Sequence, residues 1–86
     1  MEFEFDSAKS EANRARHGID FVAAQELWRG ETVEVSARST DEPRVAVIGR
    51  IAGKHYTAIV TRRGAKVRII SVRRSRDNER KLYEQT

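Results

Sequence analysis

The chain contains no cysteine, which excludes a disulfide frame and any thiolate metal site and fits a reducing compartment, the cytoplasm by default. Its two histidines, His17 and His55, stand 38 residues apart, and two imidazoles at that spacing do not make a metal site by themselves. No apolar run approaches the roughly 20 residues of a membrane span. The acidic opening Met1-Glu-Phe-Glu-Phe-Asp6 is unlike a secretion signal. A phosphate-cradling glycine loop and a serine triad are also absent from the sequence. What is left excludes secreted and membrane classes and points away from metal or cofactor chemistry.

What is abundant is arginine. Residues 1–42 carry ten acidic and five basic side chains, a net of −5, whereas residues 43–86 carry three acidic and twelve basic, a net of +9. The cationic half calls for a polyanion, whether nucleic acid or an acidic protein segment. Thirteen arginines against four lysines favour planar, bidentate contacts with phosphate or carboxylate over diffuse charge. At 86 residues the chain makes one domain, 1–86, whose core is modest enough that burial against another chain would help it.

Periodicity divides this domain into an α+β order. Glu2-Phe-Glu-Phe5 alternates as a short first strand, and Asp6 is placed to cap a helix over Ser7–His17 whose thin apolar stripe is Ala8, Ala12 and Ala15. Gly18 ends that helix by taking a positive φ. A second helix starts at Asp20, turns Phe21, Ala24, Leu27 and Trp28 inward, and stops at Gly30. Four strands follow as a meander: Thr32–Ala37, Arg44–Ile51, Lys54–Arg62 and a run from Lys66 through Val72, with turns at 39–43, Gly53 and Gly64. Alternation puts Val33, Val35, Val45, Val47, Ile51, Tyr56, Ala58, Val60, Ile70 and Val72 on the face covered by the helices. Arg44, Arg50, His55, Thr57, Thr61, Ser71 and Arg73 then share the open face, with Ile48, Ile59 and Ile69 beneath.

The last strand runs straight into Arg73, Arg74, Arg76 and Arg80, with Ser75 placed to cap a terminal helix carrying Asp77 and Glu79 in its first turn. Guanidinium forks beside free helix N–H groups form a place to hold phosphate. The plainer reading is a solvated helix end in which these arginines pair with Asp77, Glu79 and Glu84.

In order along the chain stand Phe5-Asp6, Lys9, Asn13, His17-Gly18, Phe21, Glu42-x-Arg44, Gly49-Arg50, Thr61-Arg62, Arg68-Ile-Ile-Ser-Val-Arg-Arg74 and Glu79-Arg80-x-x-Tyr83. With these motifs the chain resembles the BrnT family of bacterial toxins, small ribonucleases with a RelE-like fold. It implies a two-layer α+β domain, an antiparallel sheet packed by two N-terminal helices with a C-terminal helix added. It further implies an endoribonuclease that inhibits translation and is silenced by a cognate BrnA-like antitoxin whose other end binds DNA. Two toxin copies are expected in that complex, because a closed pair is the commonest way for a small domain to bury surface. The alternative is a non-catalytic subunit of a repressor complex that binds nucleic acid or an acidic protein through the same face.

Cleavage of RNA without a metal needs a group to take the 2′-hydroxyl proton, cations for the phosphorane oxygens and an acid for the departing 5′-oxygen. His55 is the candidate acid or base, Glu79 a candidate base, and Arg73 with Arg50 or Arg44 the candidate cations. Lys9, Arg44, Arg68, Arg74, Arg80 and Tyr83 are the candidate RNA contacts. Each also has a plain reading: His55 near a hairpin turn, Glu79 paired on its own helix, Tyr83 packed beneath that helix, Lys9 and Asn13 bracing the fold.

Overall fold

The computed structural model describes residues 1–38 and 41–86. The elements are β1 (Glu2–Glu4), α1 (Ser7–His17), α2 (Phe21–Ala24) continuing as a 3-10 segment (Gln25–Arg29), β2 (Val33–Ala37), β3 (Arg44–Ile51), β4 (Lys54–Arg63), β5 (Lys66–Arg74) and α3 (Asp77–Glu84). The strands form one sheet in the order β1-β5-β4-β3-β2, antiparallel throughout except that β1 lies parallel to β5. The α+β architecture expected from the sequence is therefore present. The turn expected at 39–43 begins on Ser39 and Thr40, which lie outside the described residues.

The cap predicted at Asp6 forms, and Asp20, where the second helix was expected to begin, caps that helix. Asp6 accepts from Lys9 N at 3.1 Å and Asp20 from Ala23 N at 2.8 Å, and Gly18 closes α1 at φ 78°. The second helix changes type midway. Phe21, Ala24 and Leu27 recur every third residue and are all fully buried, a spacing that suits the three-residue turn of the 3-10 segment. Leu27 packs so tightly on β3 that a Cβ at Gly49 would meet its Cδ2 at 3.0 Å. A side chain at Gly49 would require Leu27 to give way by a few tenths of an ångström.

The core lies between these helices and one sheet face: Phe21, Ala24 and Leu27 meet Val47, Ala58, Val60, Val67, Ile69 and Val72. Each large side chain buried there stabilises by about 1.5–3 kcal/mol. Helix α1 contributes differently from expectation. Its alanines at 8, 12 and 15 are exposed, and its buried residues are Ser10 and Asn13. Ser10 Oγ accepts from Phe21 N at 2.9 Å. Asn13 Nδ2 donates to Ile19 O and Val72 O at 2.8 and 2.9 Å, and its Oδ1 accepts from Val72 N at 3.2 Å. The helix is tied to β5 by hydrogen bonds where apolar packing was expected.

Two face assignments also change. Ile59 pairs with Ser71 while Val60 pairs with Ile69, so Ile70 is the extra residue of a β-bulge. Upstream of it the strand reverses phase: Ile69 and Val67 enter the core, and Ile70 does not. On the edge strand, Val33 and Val35 pair with Ile48 and Ala46, which places them on the face opposite the helices.

Candidate active site

That opposite face carries α3. Ser75 does not cap the helix as expected: Arg76 holds the N-cap position, and Glu79 reaches back so that its Oε1 accepts from Arg76 N at 2.7 Å. Ser75 serves the sheet instead, its N donating to His55 O at 3.0 Å and its Oγ lying 2.8 Å from Thr57 Oγ1.

Glu79 is the centre of the arrangement. Its two oxygens take the Arg73 fork, Nη1 to Oε1 at 2.7 Å and Nη2 to Oε2 at 2.9 Å, and Oε1 also accepts from Thr57 Oγ1 at 3.0 Å. Thr57 is fully buried and lies opposite Arg73 on the neighbouring strand. The Arg73 guanidinium, followed by the Arg76 N–H and the Thr57 hydroxyl, holds the Glu79 carboxyl down to about 2 despite its burial. The same carboxylate raises Arg73 above its ordinary value. At neutral pH this pair is a fixed ion pair, and Glu79 is a poor proton acceptor while Arg73 holds it.

Arg50 and His55 are direct cross-strand neighbours of β3 and β4 on the same face. His55 lies edge-on to Tyr83 with ring centroids 5.4 Å apart, and its Nε2 is 3.4 Å from Glu84 Oε2. Tyr83 is anchored in turn, its hydroxyl donating to Glu31 O at 3.1 Å. The body of α3 thereby sorts the candidates into three hollows. Arg73 and Arg44 open on a groove with Arg76, Asn78, Glu79 and Leu82; His55 opens on a hollow with Arg80; Arg50 opens on one with Tyr83 and Glu84.

The other candidates are not gathered beside Arg73. Arg74 turns towards the helical side, over the Tyr56 ring at 5.5 Å, with its Nε donating to His55 O at 3.2 Å. Lys9 sits exposed on α1, across the sheet from Arg73. Arg68 is held by Glu4 at 3.1 Å beside β1, and Arg80 pairs with Asp77. Sequence reasoning missed Thr57, whose hydroxyl completes the Glu79 cluster; its position opposite Arg73 depends on a strand register that spacing alone does not fix.

Among the described residues no three carboxylate, imidazole or thiol side chains converge as metal ligands, and no helix is long and apolar enough to cross a membrane. The family model for BrnT, the ribonuclease toxin of type II toxin–antitoxin systems, matches residues 5–79. The chain belongs to the BrnT toxin family. No curated protein matches it. BrnT membership implies a cognate antitoxin as partner.

Proposed function

We propose that this chain is a metal-independent endoribonuclease that cuts single-stranded RNA and so inhibits translation. The observation that carries the reading is the Arg73 fork, aimed by both oxygens of Glu79 and set on the same sheet face as the Arg50–His55 pair. An arginine already fixed in place stabilises developing phosphorane charge without reorganising. In the reaction the 2′-oxygen bonds to phosphorus, its proton leaves to water, and the bond from phosphorus to the 5′-oxygen breaks. Arg73 holds the non-bridging oxygens; for Arg50 to join it and for His55 to give its proton to the departing 5′-oxygen, the last turn of α3, with Tyr83 and Glu84, has to lift from between their hollows. Products are a 2′,3′-cyclic phosphate and a free 5′-hydroxyl. The His55–Glu84 contact is long, and Glu84 is exposed, so an incoming phosphate displaces it at little cost. Glu79 acts here as the group that aims Arg73.

In this reading a BrnA-like, DNA-binding antitoxin silences the enzyme by laying an acidic or helical segment on the cationic face, in an assembly with two copies of this chain. The deciding experiment incubates the purified chain with RNA and with DNA of the same sequence in excess chelator. RNA cut to a cyclic-phosphate end is the expected result. Loss of cutting in chelator, or equal cutting of DNA, removes the mechanism, and binding without cutting leaves the repressor-subunit alternative.

A further inference from the structure

The groove beside Arg73 holds more than a phosphate needs. It measures ≈ 660 Å³, within the range of clefts that seat small ligands. Its floor is aliphatic, from Val35 of β2, Ala46 and Ile48 of β3 and Ile59 of β4, and Leu82 of α3 borders the same space. Arg44, Arg73 and Arg76 line it as well. The Arg44 Nε is buried without a hydrogen-bond partner, an arrangement that costs free energy until an acceptor arrives. Asn78 also lines the groove, and its amide makes no hydrogen bond among the described residues.

Resting on the ribonuclease reading above, we propose that this groove seats the nucleobase next to the cleaved phosphate and that Asn78 selects adenine there. A base has two apolar faces and a polar edge, and the groove offers an apolar floor with one amide beside it. Cations bracket the floor. Ile48 aligns with Thr57 and Arg73 across the sheet, and Arg44 stands four residues away along β3, about 13 Å at the rise of a strand. A strand of RNA crossing the floor therefore meets Arg73 with one phosphate and Arg44 with another. The floor spans three strands, an area that a purine covers better than a pyrimidine. The asparagine amide presents a donor beside an acceptor, which adenine matches with its exocyclic amine and N7, whereas guanine presents two acceptors at that edge.

The test uses single-stranded RNAs that differ only in the nucleotides flanking one cleavage position, with 2′-O-methyl versions to read binding without reaction. The wild-type chain should prefer adenine over guanine at one flank by about tenfold or more. Asn78→Ala should bring that ratio close to one, and Leu82→Ala should weaken all four. Asn78 is exposed, so its truncation leaves the melting temperature almost unmoved. Cleavage with no flanking preference, or a preference that Asn78→Ala retains, overturns the subsite and leaves the ribonuclease reading standing. If no RNA is cut, that reading falls and the 2′-O-methyl series decides the subsite: an adenine preference abolished by Asn78→Ala upholds it, and equal binding of all bases overturns it.

Discussion

Glu79 grips both nitrogens of the Arg73 fork, at 2.7 and 2.9 Å, and the two side chains are only 12% and 23% exposed. A salt bridge so sheltered differs from the surface pairs elsewhere on this chain, because removing one partner strands the other away from water. Arg73→Ala should therefore cost about 3–5 kcal/mol of stability and abolish cleavage. Arg73→Met with Glu79→Leu should recover much of the stability and none of the activity. Urea unfolding of Arg73→Met, of Glu79→Leu and of the double variant measures the coupling. Purely additive effects would mean that the pair does not act as a unit.

The same contact sets a pH dependence. Glu79 titrates near 4.5 without its partners and at about 2 with them, so the folded state holds this proton less tightly than the unfolded chain does. The stabilisation is complete above about pH 4.5 and is lost as pH falls towards 2. The difference between those two values corresponds to about 3 kcal/mol. Glu79→Gln should flatten the stability profile in that window, as read from urea midpoints at closely spaced pH values. A profile that stays as steep as the wild type's would assign acid unfolding to other carboxylates.

In the sequence Asn13 stands among the residues that carry the family resemblance and, with Lys9, as a brace for the fold. In the fold it is buried and shares three hydrogen bonds with Ile19 and Val72. Asn13→Ala leaves a carbonyl and an N–H of Val72 without that partner, each worth about 1–3 kcal/mol when buried and unsatisfied. The expected outcome is a loss of about 2–5 kcal/mol with the rate per folded molecule retained. A variant that melts normally and cuts poorly would place Asn13 in the site.

The start of the first two helices, the hairpins and the helix–strand order were legible because each depends on a few neighbouring residues. Asp6, Gly18 and Asp20 act within one turn of where they stand, and β3 occupies the predicted Arg44–Ile51. The misplacements share a different cause. Alternation has two phases, and the side of Val33 and Val35 was decided by pairing with Ile48 and Ala46, while the extra residue Ile70 reversed the phase within β5. The candidate-site arginine Arg73 was assigned to the right face because it lies downstream of that bulge. Its bond to Glu79 could be read only as one option among several carboxylates, since the turn at Ser75 and Arg76 determines which helix residue comes within reach.

The β3–β4 turn offers a clean test of backbone strain. Ala52 sits at φ 51° beside Gly53 at φ 79°, and a Cβ in that region costs about 1 kcal/mol relative to glycine. Ala52→Gly should raise the melting temperature by several degrees, about 4–8 °C per kcal/mol for a domain of this size. The gain is reduced by the greater freedom of glycine in the unfolded chain. A fall in melting temperature would show that this freedom outweighs the relief.

His55 is the remaining test of the chemistry, and a leaving-group substitution separates its role from that of a packing residue. Its side chain is 18% exposed and meets the Tyr83 edge and Glu84, so His55→Ala loosens α3 as well as removing a proton donor. On ordinary RNA the variant should be slower by about 10²–10⁴, a loss that a disordered helix would also produce. An RNA carrying sulfur in place of the departing 5′-oxygen distinguishes the two, because a thiolate leaves without first receiving a proton. If His55 supplies that proton, the alanine variant should cut the sulfur substrate at close to the wild-type rate, while Arg73→Ala remains inactive on both. A deficit of the same size on both substrates would place His55 outside proton transfer to the leaving group.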